Sequence, residues 1–184
     1  MNSIKQVNIT SNHIGLAQLT PSFGGSIAEA NAVCMQANGH SSGVEMIVDG
    51  AVQDRFAINW QDPDIRSAST WADMQVAAEH GAYAVAICII AESKGLNALS
   101  RSRKGTGFDF WLGKLNSDLP FQDSDLPFQD KARLEVSGIL KGIDSQVEYR
   151  AKKKKEQMVP TNGNLVGYAF VVEFGAPQSK VIQT

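Results

Sequence analysis

The chain has 184 residues, of which 43% are hydrophobic and 20% are charged, an ordinary composition for one globular domain with a sizeable core. Its formal net charge of −2 indicates no general affinity for polyanions, so contacts with nucleic acid would have to come from local basic clusters. The two cysteines, Cys34 and Cys88, exclude a disulfide framework and lack partners at zinc spacing, which indicates a reduced intracellular protein.

The N-terminal residues do not read as a targeting segment. Residues 1 to 10 lack the basic start and the apolar run of a secretory signal. The longest apolar run, residues 82 to 91, is about half as long as a membrane span. We therefore expect a soluble, cytoplasmic protein, whose residues 5 to 19 alternate loosely enough to indicate one or two strands.

A helix and a β-hairpin follow. Residues 26 to 38 predict an alanine-rich helix, because Ser26 and Glu29 have the spacing of a capping box. Residues 43 to 60 predict a hairpin, because two extended runs surround the Asp-Gly pair at residues 49–50.

The next elements are a connection and a long helix. Residues 61 to 69 are polar and contain proline, which is typical of a connection. Thr70 and Asp73 then form a capping box, and the chain continues without proline to Gly95, a natural stop. This helix of about 24 residues, on the order of 36 Å long, is apolar almost all round in its second half, so we expect it to be buried.

From residue 70 onward the predicted order is helix, strand, strand, helix, strand. The elements after the long helix are a strand in residues 107–113, a strand in residues 132–140, a helix in residues 144–158 opened by a Ser145/Glu148 capping box, and a strand in residues 165–174. Between the two adjacent strands the heptapeptide SDLPFQD occurs twice in succession, in residues 117–130. We predict a loop there, because prolines do not fit central strand positions and a seven-residue insertion within a strand would reverse its faces.

The two adjacent strands each carry one carboxylate opposite an apolar row. In the second strand Arg133, Glu135 and Ser137 share a face, and in the first Asp109 lies on the face opposite the phenylalanines. If the strands pair, Asp109 and Glu135 can stand side by side and would repel each other without a cation between them. Mg²⁺ suits such a pair, since it binds one or two carboxylates together with phosphate and water. The alternative is the polar side of a half-exposed sheet, with the acids paired to Arg133 or a lysine.

A third carboxylate and two basic clusters add to this pair. Glu79 shares its helix face with apolar residues, where an unpaired carboxylate would cost several kcal/mol, so we expect it to have a partner or a role. The loop RSRKGTG before the first strand contains Arg101, Arg103 and Lys104, with glycines that allow close backbone approach to a phosphate. The basic run in residues 150–155 is either a solvated helix face or a second phosphate contact.

This order of elements, with Glu79 on the helix and Asp109 and Glu135 on the strands, resembles the core of the PD-(D/E)XK nuclease superfamily, to which many restriction endonucleases belong. The resemblance implies a single domain of α/β (α+β) class, in which a mixed β-sheet flanked by helices forms a restriction-endonuclease-like core in residues 67–184. Residues 1–66, with the predicted hairpin and helix, would be a β-rich N-terminal extension.

The resemblance also implies site residues. Asp109 and Glu135 would bind Mg²⁺ at the scissile phosphate, and Glu79 would be the helix carboxylate that some members add. The superfamily has a lysine two residues past the second acid that helps to orient the attacking water, and this chain has Ser137 there. We expect Arg133, on the Glu135 face, to replace that charge, with Lys114 and Lys131 as alternatives.

The expected function is therefore that of a Mg²⁺-dependent endonuclease that hydrolyses phosphodiester bonds of DNA in restriction, defence or repair. Arg101, Arg103 and Lys104 would hold flanking phosphates, and the partner could also include a second copy of the chain or another protein. The main alternative is a catalytically inactive nuclease-like module that binds nucleic acid or a partner protein, which Ser137 favours. A third hypothesis is a small interaction protein in which the two strand acids are ordinary polar groups.

Overall fold

A computed structural model describes residues 3–10, 19–114, 132–161 and 165–184. Within these ranges the chain forms eight β-strands and four α-helices. The strands are β1 (Lys5–Ile9), β2 (Val44–Gly50), β3 (Asp54–Trp60), β4 (Asn97–Arg101), β5 (Phe110–Gly113), β6 (Ala132–Ile139), β7 (Gly167–Glu173) and β8 (Gln178–Gln183). The helices are α1 (Pro21–Ala37), α2 (Ile65–Thr70), α3 (Met74–Lys94) and α4 (Asp144–Met158), and a 3-10 turn (Val159–Thr161) follows α4.

The eight described strands form one mixed sheet in the order β1-β3-β2-β8-β7-β6-β5-β4. Strands β1 and β3, β2 and β8, and β6 and β7 run parallel, while the other neighbours are antiparallel. The predicted mixed sheet with flanking helices is confirmed. The strands β1, β2 and β3 belong to the same sheet as the later strands, because β2 pairs with β8.

Helices α1 and α3 pack on one face of the sheet and α4 packs on the other. Strand β6 shows the alternation: Leu134 and Val136 join the main core with α3, while Ile139 packs with Val147 and Ala151 of α4. The predicted faces of β6 are therefore confirmed. The strand is buried on both faces instead of half-exposed, because α4 covers the face that carries Arg133, Glu135 and Ser137.

The long helix begins later than predicted. Asp73 is its N-cap and accepts two backbone N–H groups, and the helix ends before Gly95 as expected. Thr70 belongs to the separate short helix α2, which Asp64 caps. Residues 61–69, predicted as a connection, thus contain most of a helix, since the Asp64 carboxylate satisfies the first N–H groups of α2.

Helix α1 begins earlier than predicted. The Thr20 hydroxyl accepts the N–H of Phe23 at 3.2 Å, and Pro21 takes the first helical position, where its missing N–H costs nothing. Ser26, predicted as the cap, lies inside the helix. The pair Thr20-Pro21 is therefore a stronger signal for the start of this helix than the Ser26/Glu29 spacing.

The predicted hairpin is confirmed, since β2 and β3 pair antiparallel. Its reversal lies at residues 51–53, because Asp49 and Gly50 still belong to β2 and pair with Lys180 and Val181 of β8. Strands β4 and β8 were not predicted.

Helix α3 is long and apolar enough to match a membrane span, the one such helix among the described residues. Most of it is buried against α1 and the sheet. It is therefore packed as the core helix of a soluble domain.

Candidate active site

The strands that carry Asp109 and Glu135 are hydrogen-bonded neighbours. Strands β5 and β6 pair antiparallel, with Phe110 opposite Leu134. Asp109 directly precedes β5, and its N–H donates to the carbonyl of Leu134 at 2.8 Å. The predicted pairing of the two strands is confirmed, and it places Asp109 at the end of β5 that lies beside Glu135.

Asp109 lies where the two strands separate. Its Oδ2 accepts the backbone N–H of Val136 at 2.9 Å, and its Oδ1 accepts the hydroxyl of Tyr83 at 3.3 Å. The strand β5 begins only at Phe110, so the side chain of Asp109 accepts the N–H of Val136 in place of a β5 carbonyl. Asp109 is half-buried and bridges the end of the sheet to helix α3.

Glu135 is buried beneath α4, with only 2% of its surface exposed. Its Oε1 accepts from Lys154 Nζ at 2.5 Å and from Gln157 Nε2 at 3.1 Å. Burial, followed by the negative charge of Asp109, raises the pKa of Glu135 to about 7, although the Lys154 ammonium opposes this shift. The two carboxylates are therefore close enough that the negative charge of Asp109 disfavours ionisation of Glu135.

Helix α4 supplies the positive charge that the strand lacks. Arg150, Lys154 and Gln157 follow at spacings of four and three residues, so they lie on one helix face, toward β6. While Lys154 contacts Glu135, the Arg150 guanidinium donates to Ser137 Oγ at 3.3 Å and to Gly138 O at 3.0 Å. The basic run therefore includes two residues, Arg150 and Lys154, that face the proposed site. The sequence did not show which residues of the run would face β6.

Arg133 takes a different place from the one expected. It is fully buried, and its guanidinium donates to the carbonyls of Met158 (3.1 Å) and Leu165 (2.8 Å) and to the hydroxyl of Thr184 (3.3 Å). These contacts hold the guanidinium among acceptors that follow or end α4 and β8. The expectation that Arg133 replaces the missing lysine is corrected: the cation at the second acid is Lys154.

Of the other two residues proposed for that charge, the structure describes Lys114 alone. Lys114 is exposed and follows the far end of β5, opposite the end at which Asp109 lies. Lys131 lies outside the described residues, as does the duplicated heptapeptide.

Glu79 is exposed, so the expectation of a buried carboxylate is wrong. It nevertheless has a partner, because the Tyr83 hydroxyl contacts its Oε1 at 3.2 Å as well as Asp109. Burial, Asp109 and Glu79 together raise the pKa of Tyr83, so its hydroxyl keeps the proton that it donates to these carboxylates. Tyr83 thus connects the helix acid to the strand acid.

The basic loop borders the same site. The Arg101 guanidinium lies over the rings of Tyr83 and Phe110, 5.2 Å from each centroid. Gly107 has a positive φ and no room for a side chain, because a Cβ there would lie 2.4 Å from the carbonyl oxygen of Gln157. The loop therefore packs on the end of α4, against Gln157, whose side chain contacts Glu135. Arg103 and Lys104 are exposed in this loop.

The acids suit a divalent cation that keeps open positions. The described residues contain no group of three or more His, Cys, Asp and Glu side chains in metal-binding arrangement. Proteins nevertheless often supply only one or two carboxylate ligands to Mg²⁺, and phosphate and water are its remaining ligands. The contact of an ammonium with Glu135 shows that this carboxylate already attracts a cation.

Comparison with family models, with curated proteins and with solved structures gives no match to this chain. The resemblance to PD-(D/E)XK nucleases therefore depends on the residues and their arrangement alone.

Proposed function

We propose that this protein is a divalent-cation-dependent nuclease that hydrolyses phosphodiester bonds of DNA, with Asp109 and Glu135 as the cation ligands. The observation that carries the proposal is the juxtaposition of these two carboxylates on paired strands with the Lys154 ammonium against Glu135. A carboxylate with a perturbed pKa beside a specific cation, as at Glu135, is a common signature of catalytic sites. The mixed sheet with helices on both faces is compatible with a restriction-endonuclease-like core.

The reaction defines what the side chains must do. The oxygen of a water forms a bond to phosphorus while the bond from phosphorus to the leaving sugar oxygen breaks, and that oxygen leaves with a proton. The divalent cation, when bound, supplies positive charge at the phosphate and activates the water. Asp109 and Glu135 hold it, and Tyr83 fixes the Asp109 carboxylate by donating a hydrogen bond.

Lys154 is the residue that stabilises charge on the phosphate. Its side chain is 24% exposed, so the ammonium lies between the buried acid and solvent. A phosphate bound at the pair comes within reach of this ammonium, whose charge stabilises the negative oxygens that develop during attack. Lys154 thereby takes the role that Ser137 cannot fill.

The exposed basic residues indicate on which side of the acid pair the DNA backbone would continue. Arg101, Arg103 and Lys104 border the Asp109 side, and we assign them to phosphates that flank the scissile bond. DNA fits these contacts because its backbone presents a phosphate at every nucleotide. Glu79 is connected to Asp109 through the Tyr83 hydroxyl and faces solvent at the same end. We assign it to binding a water molecule in the outer ligand shell of the cation. A cytoplasmic role in restriction, defence or repair is consistent with this substrate.

The test is cleavage of plasmid, linear and single-stranded DNA with Mg²⁺ or Mn²⁺ by the wild-type chain and the variants Asp109→Ala, Glu135→Ala and Lys154→Ala. Lys152→Ala is the matched control, because Lys152 is an exposed lysine of the same helix. We expect cleavage by the wild type and the control alone. Cleavage that survives the substitutions at both acids contradicts the proposed site.

A second function is favoured by one observation, the serine at position 137. An inactive nuclease-like module would bind DNA without cutting it. In the same experiment, salt-sensitive binding of DNA without cleavage in either metal selects this function.

A further inference from the structure

Arg150 differs from the other charged residues of α4 in what it contacts. Lys154 pairs with Glu135 and Lys153 pairs with Glu156. Among the residues that the structure describes, no carboxylate lies within ion-pair distance of Arg150. Its guanidinium instead contacts two uncharged acceptors, the hydroxyl of Ser137 and the carbonyl of Gly138, so its charge is held in place without being neutralised.

The two acceptors belong to a rigid part of β6. Ser137 is buried, and Gly138 lies so close to α3 that a Cβ there would be 1.9 Å from the carbonyl oxygen of Ala78. The strand is thus fixed between α3 and α4 at this point. The guanidinium therefore has a fixed position although Arg150 itself is exposed.

That position lies next to the acid pair. Ser137 follows Glu135 by two residues on the same strand face, which separates their Cα atoms by about 7 Å. Lys154 on Glu135 and Arg150 on Ser137 are one helical turn apart, so two cations line the same row of β6. A guanidinium has five N–H donors, and two acceptors leave donors for the paired hydrogen bonds that phosphate oxygens accept.

We propose that Arg150 binds the scissile phosphate directly, with Ser137 and Gly138 as the contacts that position its guanidinium. This inference rests on the proposed function, since it needs a phosphate at the Asp109–Glu135 pair. Ser137 then has a role of its own: a small hydroxyl leaves room for the guanidinium and accepts one of its N–H groups.

The decisive variant is Arg150→Gln, because glutamine keeps a donor for Gly138 but loses the charge. A residue that only ties α4 to β6 would tolerate this change, whereas a phosphate ligand would not. We expect kcat/KM for DNA cleavage to fall by about 10- to 100-fold, the loss of a hydrogen bond to a charged group. Arg150→Lys should recover part of that loss, and Lys152→Ala should match the wild type.

Binding supplies a second readout that a structural role would not move. With Ca²⁺ and a cleavage-resistant phosphorothioate duplex, Arg150→Gln should weaken binding and lower the slope of log Kd against log salt by about one. Wild-type kcat/KM and an unchanged salt slope in Arg150→Gln, while Glu135→Ala is inactive, would overturn this inference alone. A wild-type chain that neither cleaves nor binds DNA would overturn the proposed function, and this inference with it.

Discussion

Two buried glutamates on neighbouring strands have opposite surroundings. Glu173 of β7 is fully buried, and its carboxylate accepts three backbone N–H groups, from Gly142 (3.0 Å), Gly175 (2.7 Å) and Ala176 (2.8 Å). Fixed backbone donors that converge on a carboxylate hold a turn together and leave it little capacity for another ligand. We infer that Glu173 has a structural role.

Within the described part of the chain, the hydrogen-bond partners of the Glu135 carboxylate in β6 are all side chains. Lys154 and Gln157 donate to one of its oxygens, and a second carboxylate, Asp109, lies beside it. Side-chain partners can rearrange when a ligand binds, and the adjacent negative charge favours a cation. Burial alone therefore does not distinguish the two glutamates, whereas the nature of their partners does.

The largest expected difference between the two glutamates is in catalysis. Glu135→Ala should lower the rate of DNA cleavage by at least about 10³-fold, because it removes a cation ligand at the reacting phosphate. Glu173→Ala should leave the rate per folded molecule within a few-fold of the wild type. Rates are measured at a temperature where circular dichroism shows each variant folded. Equal losses in both variants would contradict the distinction.

The second difference is in stability, where the order is reversed. Glu173→Ala removes three hydrogen bonds between backbone N–H groups and a buried carboxylate, at about 1 kcal/mol for each, so the free energy of unfolding should fall by about 3 kcal/mol. Glu135→Gln should cost much less, since glutamine retains an acceptor for Gln157 and Lys154 can turn toward solvent. Urea denaturation at pH 7 measures both. A larger loss in Glu135→Gln would contradict the structural assignment of Glu173.

Local signals in the sequence were sufficient for much of this fold. Alternation identified β5 and β6 and the faces of β6. The bounds of α3 and α4 were predicted to within a few residues, but their N-caps are Asp73 and Ile143, and the predicted caps Thr70 and Ser145 are wrong. Strands β4 and β8 escaped notice because they depend on their neighbours in the sheet: β4 is an edge strand with a polar end, and β8 lies between β2 and β7.

The site was predictable in part for the same reason. Adjacent strands pair by default, which brought Asp109 and Glu135 together. The positive partner of Glu135 was not predictable from the sequence. Lys154 is 19 residues away along the chain and reaches Glu135 through the packing of α4 on β6. Strand alternation placed Arg133 on the correct face but could not show that its long side chain extends to the ends of α4 and β8.

A third effect, smaller per pH unit than the loss expected in Glu173→Ala, concerns pH. The folded state raises the pKa of Glu135 from 4.5 to about 7, so between these values it holds a proton that the unfolded chain releases. Raising the pH through this window should therefore lower stability, by at most about 1.4 kcal/mol per pH unit from this group. Unfolding free energies of the wild type and Glu135→Gln at pH 4.5, 5.5, 6.5 and 7.5 isolate the contribution. Parallel curves would show that Glu135 ionises normally and remove one support of the comparison.

The smallest expected effect comes from the doubled heptapeptide, residues 117–130, which lies outside the described residues between β5 and β6. If the comparison depends on the two strands alone, deletion of one copy should leave both glutamates in their surroundings. If residues 114–130 form the predicted loop, removing one copy shortens it from 17 residues to 10 and changes the free energy of loop closure by about 0.5 kcal/mol, in the stabilising direction. Urea denaturation of the deletion variant should therefore match the wild type or exceed it slightly, with DNA cleavage retained. Unfolding on deletion would show that the repeat contributes to the sheet, and the pairing of Asp109 with Glu135 would then depend on residues beyond β5 and β6.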